Sequence, residues 1–173
     1  MASLEDLSDT IRSLESRLAA AEAVQEIHRL KALYASLIDE RYTRDGPKPP
    51  AEIARIANAA AQLFVPDAVW DGGEQLGRWQ GRDAIRKRFL DPTLKFTLHF
   101  FVNPVIEVEG DSARGIWQIL APITLGNGRA GWMAGVENDG YRLHEGRWLH
   151  SEMKLRMHFL GPDMQGWDRR PRE

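Results

Sequence analysis

Residues 112–159 read SARGIWQILAPITLGNGRAGWMAGVENDGYRLHEGRWLHSEMKLRMHF, and this stretch decides the fold. Apolar and polar residues alternate along three long runs within it, which is typical of half-buried strands. The runs are separated by Asn127-Gly128 and Glu145-Gly146, and such glycine-containing pairs favour the tight turns of β-hairpins. A similar run at residues 95–109 ends at Gly110-Asp111. The sequence therefore predicts a meander of four antiparallel strands.

Helical patterns precede this meander. A heptad seam of apolar residues covers residues 4–21, and a broader apolar face continues it over residues 24–37. The glycine and prolines within residues 43–50 cannot continue a helix and end it. Two shorter helical patterns follow, at residues 50–63 and 82–90.

This order predicts an α+β fold, in which a cone-shaped, curved antiparallel sheet wraps around a long N-terminal helix with two further helices. Residues 1–21 are expected to form a helical arm that packs on a partner subunit, in a homodimer or a homotrimer, or on the parent domain, because so short a seam cannot bury itself. A frayed amphipathic tail is the alternative. Residues 22–160 would form the domain, and residues 161–173 a loosely held polar tail. A cone with an open mouth encloses a cavity, which is the default site for a small molecule.

The composition excludes several classes of function. The 173 residues include 23 Lys and Arg against 25 Asp and Glu, a net charge of −2, which argues against binding to nucleic acid. Cysteine is absent, which excludes disulfides, thiolate metal sites and cysteine nucleophiles. No apolar run approaches the roughly 20 residues of a membrane span, and the acidic N-terminus differs from a signal peptide. We expect a cytoplasmic protein that does not bind membranes.

Three residues could carry acid–base chemistry. His99 lies in a predicted strand whose two faces are both largely apolar, so its imidazole is expected in a protected place, either as a general base or as a core histidine bonded to backbone. Asp39 follows Leu37 and Ile38, where a carboxylate needs a partner; it can orient an imidazole, or it can point at solvent. Tyr34 is expected on the core-facing side of the same helix.

These residues resemble the SnoaL-like group within the nuclear-transport-factor-2-like superfamily. The resemblance rests on VQEIHRLKALY at residues 24–34, LHFFVNP at 98–104 and DGYRLHEGRW at 139–148, and it covers about residues 22–160. It implies the cone-shaped fold. Within the group, the Tyr and Asp five residues apart and the strand His are similar to bile-acid 7α-dehydratase. The His–Asp pair is also similar to that of hexachlorocyclohexane dehydrochlorinase and scytalone dehydratase.

The resemblance implies an elimination in which His99 is the base, Asp39 its orienting partner and Tyr34 a polarising or proton-donating hydroxyl. It also implies a second acidic residue, which would fall near Ala121, and an Arg, which would fall at Met157. Both are departures from the pattern. We therefore expect a lyase of the dehydratase type that needs no cofactor and acts on a hydrophobic aromatic or polycyclic hydroxylated compound.

Two alternatives stay open. A formaldehyde-releasing lyase of lignin-derived diaryl compounds, or a double-bond isomerase, could use the same three residues. A non-catalytic binding or assembly domain, such as an oxygenase β-subunit, is the other reading, and it would make His99 a core histidine.

Other residues are candidates for the walls of the site. Strand aromatics would suit a flat ring or serve as plain core: Trp70, Phe101, Trp117 and Trp132. The polar face of the last strand is interpreted as solvated, and it consists of His150, Glu152, Lys154, Arg156 and His158. Arg156 or His158 is held in reserve as a contact for a substrate anion. The five histidines show no spacing typical of metal ligands, so no metal is expected.

Overall fold

The computed structural model describes residues 3–162 of the chain. Its helices are α1 (Leu4–Glu40), α2 (Pro50–Ala61), α3 (Gly73–Leu76) and α4 (Arg82–Phe89). Its strands are β1 (Tyr42–Thr43), β2 (Gly46–Pro47), β3 (Phe64–Asp71), β4 (Arg78–Gln80), β5 (Phe96–Thr97), β6 (Phe100–Glu109), β7 (Ser112–Thr124), β8 (Ala130–His144) and β9 (Arg147–Pro162). The predicted order, with a long helix first and long strands last, is confirmed.

The long strands form one sheet in the order β4-β3-β9-β8-β7-β5, and β6 also pairs with β7. The meander from β6 to β9 is antiparallel, as predicted. However, β3 runs parallel to β9, so the sheet is mixed. This parallel pair forms because β3 precedes the meander in the chain, and β9, the last strand of the meander, runs beside β3 in the same direction. The domain core lies between the inner face of this sheet and the second half of α1.

The two halves of α1 have different surroundings. In the second half, Ile27, Leu30 and Tyr34 are buried in the core. In the first half, the apolar seam is exposed at Leu4, Leu7, Ile11, Leu14 and Leu18. Packing of residues 1–21 on a partner subunit therefore stays a prediction.

The strand expected over residues 95–109 is interrupted at Leu98 and His99. The backbone N–H of Leu98 still donates to the carbonyl of Pro122 in β7. The N–H of His99 instead donates to the side chain of Asp39, at the end of α1. One amide therefore leaves the sheet ladder to bind a carboxylate, and this divides the predicted strand into β5 and β6.

The prediction of a solvated polar face on the last strand is wrong for His150, which is fully buried. Tyr141 pairs with His150, whereas Gly140 pairs with Glu152, so Ser151 is an extra residue in β9. Such a bulge reverses which residues face inward. His150 consequently lies on the same face as Met153 and Leu155, inside the core.

The predicted domain end at residue 160 falls within β9, which continues through Gly161 and Pro162. The rest of the predicted tail, residues 163–173, lies outside the described residues.

Candidate active site

A cavity of about 180 Å³ lies between the end of α1, α4 and the inner face of the sheet. Its walls are mainly apolar, with contributions from Ile38, Trp70, Leu76, Phe89, Ile119, Met133 and Leu155. Polar and charged groups also reach it, namely Tyr34, Arg41, Arg88, Thr97, His99 and Glu137. An apolar cavity with a few convergent polar groups is the usual form of a small-molecule site.

His99 and Asp39, here called the dyad, meet at one wall of this cavity. Asp39 Oδ2 accepts the backbone N–H of His99 at 2.9 Å, and Oδ1 lies 2.5 Å from Nδ1 of the imidazole. The ring also stacks on Phe101, with centroids 5.9 Å apart and planes inclined by 7°. The side chains of His99 and Asp39 are 14% and 15% exposed. The imidazole is therefore held in one orientation while remaining open to the cavity.

The dyad leaves one ring nitrogen available for chemistry. A carboxylate beside Nδ1 favours the tautomer that carries its proton there. Nε2 then has a free lone pair, and among residues 3–162 it has no hydrogen-bond partner. Asp39 also stabilises the imidazolium once Nε2 has taken a proton. The arrangement suits a general base.

Tyr34 presents a second polar group to the same cavity. Trp70 Nε1 donates to the Tyr34 hydroxyl oxygen at 3.3 Å. Because an indole N–H can only donate, the proton of the Tyr34 hydroxyl stays free for another acceptor. Burial, and after it the charge of Glu137, raises the pKa of Tyr34 above its usual value. The phenol therefore remains protonated at neutral pH and can donate a hydrogen bond.

The other predicted contacts divide into three groups. Trp70 lines the cavity with the dyad. Phe101 and Trp117 line a neighbouring depression beside α1, which shares His99 with the cavity. Trp132, Arg156 and His158 do not line the cavity, and their prediction as substrate contacts needs correction.

The reason for the correction is strand alternation. Met133 and Leu155 face inward and are buried, so their neighbours Trp132 and Arg156 face outward. Arg156 is exposed and Trp132 is half-buried. The register shifts between β8 and β9 near His158, which is also exposed.

Sequence reasoning missed a group of buried charged and polar residues, here called the buried network: Lys31, Glu137, Asp139 and Tyr141. Lys31 Nζ donates to Glu137 Oε2, and to Asp139 Oδ2 at 2.7 Å. The Tyr141 hydroxyl donates to the same Asp139 oxygen at 2.9 Å. All four side chains are buried.

Burial raises the pKa of Asp139 to about 6, against the opposing charge of Lys31. Burial alone would lower the pKa of Lys31, but the charges of Asp139 and Glu137 raise it. A signal for this network exists in the sequence. Lys31 lies four residues after Ile27 on the core face of α1, and Glu137 and Asp139 alternate in phase with Met133.

Among residues 3–162, no three His, Asp or Glu side chains are grouped so that they could hold a metal ion. The expectation that no cofactor is needed stays a prediction. Within the same residues, no helix is both long and apolar enough to cross a membrane.

Comparison with known proteins supports the resemblance found in the sequence. The model of the SnoaL-like domain family matches residues 54–154, more than half of the chain. No curated protein matches the sequence. The predicted family and fold are confirmed.

Solved structures share the fold at low identity. Hexachlorocyclohexane dehydrochlorinase type 3 from Novosphingobium barchaimii LL02 has a TM-score of 0.66 and 22% identity, over 84% of this chain and 91% of that one. A protein with the cystatin-like fold from Novosphingobium aromaticivorans has a TM-score of 0.64 and 21% identity, over 91% and 92% of the two chains. A candidate scytalone dehydratase from Novosphingobium aromaticivorans DSM 12444 has a TM-score of 0.66 and 21% identity, over 80% and 86%. At these identities the likeness concerns the fold.

Proposed function

The chain belongs to the SnoaL-like domain family, and on that premise we propose that it is a cofactor-independent lyase. In the proposed reaction it eliminates water from a hydrophobic, hydroxylated small molecule bound in the cavity. The observation that carries the proposal is the dyad. Asp39 holds His99 at both its backbone N–H and Nδ1, and Nε2 is left for the substrate. A histidine that served packing alone would not need this orienting carboxylate.

The proposed elimination balances without an added reagent. Nε2 of His99 takes a proton from the carbon next to the one that carries the hydroxyl. The electron pair of that C–H bond forms the new C=C bond, and the C–O bond breaks. The imidazolium then gives its proton to the departing oxygen, which leaves as water, and His99 returns to its neutral form.

Asp39 and Tyr34 support this transfer in different ways. Asp39 keeps the proton on Nδ1 and stabilises the imidazolium. The free O–H of Tyr34 donates to a carbonyl oxygen that gains charge as the C–H bond breaks, or to the departing hydroxyl. His99 and Tyr34 both line the cavity, so a single bound molecule can reach the two together.

The test is mass spectrometry of aryl β-hydroxy ketones, hydroxylated steroids and diarylpropanediols incubated with metal-free protein. We expect loss of one water from a compound in this panel. His99→Ala and Asp39→Asn should each slow that loss by about 10²- to 10⁴-fold, the usual contribution of general acid–base catalysis. His158→Ala is the matched control, because His158 is exposed and does not line the cavity.

Each outcome has a definite meaning. Full turnover by His99→Ala would show that the dyad is not the base. Release of formaldehyde would identify a deformylating lyase. Uptake of solvent deuterium at unchanged composition would identify an isomerase. If no compound reacts, a non-catalytic binding domain replaces the lyase.

A further inference from the structure

The cavity contains two cationic side chains that the proposed elimination does not use, Arg41 and Arg88. Neither forms an ion pair with a carboxylate among residues 3–162. The two carboxylates of the site already have partners: Asp39 contacts the imidazole of His99, and Glu137 accepts a hydrogen bond from Lys31. Within residues 3–162, therefore, no carboxylate forms an ion pair with the positive charge of these two side chains.

Arg41 is a built component of the cavity wall, since it is 7% exposed. Its Nε donates to the carbonyl of Ile38 and its Nη1 to the carbonyl of Phe89, which ties the end of α1 to the end of α4. A guanidinium has five N–H groups, and these two bonds leave the others without an acceptor in the described part of the chain. Because Arg41 lines the cavity, its remaining N–H groups are available to a ligand bound there.

Arg88 reaches the same cavity from α4. Its Nη1 donates to the backbone carbonyl of Asp91 at 2.8 Å, and its guanidinium lies 5.6 Å from the ring centre of Trp70. The carboxylate of Asp91 does not form an ion pair with it. Burial, and after it the charge of Arg41, lowers the pKa of Arg88. The two cations thus lie close enough to repel each other.

Thr97 adds an independent observation. It is 3% exposed, it lines the cavity, and its Oγ1 has no hydrogen-bond partner among the residues that the structure describes. A buried hydroxyl without a partner is costly, and such groups in native proteins call for a partner that the chain itself does not supply. A hydroxyl can donate to an anion that enters the cavity.

We infer that Arg41, Arg88 and Thr97 form an anion subsite, and that the substrate is a carboxylate-bearing compound of about one ring. A planar guanidinium group can donate two parallel hydrogen bonds to the two oxygens of a carboxylate. The size limit comes from the volume: a cavity of about 150 Å³ accommodates benzene, so 180 Å³ suits one ring. This inference deepens the proposed function and rests on it, because it assigns the substrate class of the same cavity.

The test measures binding without turnover. Benzoate and its neutral analogue benzamide are titrated into the full chain by calorimetry, and then into Arg88→Met and Thr97→Val. We expect the wild type to prefer benzoate, and Arg88→Met to weaken benzoate about ten- to hundredfold, the range for hydrogen bonds to charged groups. Benzamide binding should hardly change. Lys87→Met is the matched control, because Lys87 is an exposed cation on the same helix.

Equal binding of the two ligands by the wild type, binding of neither, or equal losses for both in Arg88→Met would overturn the anion subsite. If benzoate is preferred and depends on Arg88, while neither the panel nor a one-ring β-hydroxy acid such as 3-hydroxy-3-phenylpropanoate loses water, the subsite stands and the proposed lyase reaction fails. The two failures are therefore distinguishable.

Discussion

The dyad and the buried network lie along the same half of α1, yet they are exposed to different surroundings. In the dyad, His99 and Asp39 are held at two points and keep a ring nitrogen at the cavity. In the buried network, Lys31 Nζ bonds two carboxylates and is 1% exposed. The dyad keeps one unpaired ring nitrogen at the cavity, whereas the charges of the buried network are paired with one another, although Glu137 also reaches the cavity wall.

This difference separates the roles that charges can play. A buried charge costs several kcal/mol of desolvation unless it is paired and hydrogen-bonded. The positive and negative charges of a buried network must therefore be paired with one another. Its loss is then felt as instability. The dyad is only partly shielded and keeps an unused acceptor, so its loss is felt as lost chemistry. The comparison predicts opposite responses of stability and activity to substitution.

The largest effect that would separate the two regions is expected for Lys31→Met. This substitution leaves Glu137 and Asp139 buried without a cation, which costs about 3–5 kcal/mol. Urea unfolding at neutral pH should show this loss in the free energy of unfolding, whereas Asp39→Asn should change it by less than about 1 kcal/mol.

The control also removes the two carboxylate charges that Lys31→Met leaves without a cation. In the triple variant with Lys31→Met, Glu137→Gln and Asp139→Asn, the uncompensated charges disappear, so most of the lost stability should return. A cost for Lys31→Met no larger than that of the triple variant would mean that the network's charges are not what stabilises the cone.

The fold was predictable because its signals are local. The alternation over residues 112–159 and its turns contain the meander without reference to any other part of the chain. The break before β6 was not predictable in that way. It depends on Asp39 accepting the N–H of His99, and the two are 60 positions apart in sequence.

The buried network and His150 escaped for a related reason. Lysine and glutamate are almost never fully buried unless paired, so Lys31 and Glu137 read as surface residues until helix and strand are superposed. His150 was misplaced because the bulge at Ser151 inserts one residue, and a period of two then assigns the wrong face. The apolar surroundings of His99 and Asp39 in the sequence made both residues candidates, the family resemblance implied their roles as base and orienting partner, and the geometry of the dyad comes from the structure.

His150 offers a smaller test, which asks how strongly burial beside the buried network suppresses the protonation of an imidazole. It is fully buried, and neither ring nitrogen has a hydrogen-bond partner in the described part of the chain. Burial, and after it the charge of Lys31, lowers the pKa of His150 well below its usual value. Below about pH 6.5, His150 binds a proton in the unfolded chain but not in the folded chain. The free energy of unfolding therefore falls as the pH drops.

We expect His150→Phe to remove this loss while keeping an aromatic ring beside Phe64 and Tyr141. The variant should gain about 1 kcal/mol over the wild type between neutral pH and about pH 5.5, measured by urea unfolding at both values. Asp139 works in the opposite direction, because its raised pKa favours the folded state as the pH falls through about 6. Because Asp139 Oδ2 lies 3.9 Å from His150 Nδ1, the same comparison is repeated in the Asp139→Asn background to isolate His150. An unchanged difference across pH would mean that the imidazole is protonated in the fold, and His158→Phe controls for an exposed histidine.

The smallest effect is expected where the two regions meet, at Tyr34, which lines the cavity and feels the charge of Glu137. Trp70→Phe removes the indole N–H that donates to the Tyr34 hydroxyl. Turnover should fall about two- to tenfold, the worth of one neutral hydrogen bond, and by less than in Tyr34→Phe. Losing that bond raises the pKa of Tyr34 further, so the phenol stays protonated and the pH profile of kcat should keep its shape. An alkaline limb that moves to higher pH in Trp70→Phe would instead mean that Tyr34 itself exchanges a proton with the substrate, so that Tyr34 takes part in the catalytic proton transfer.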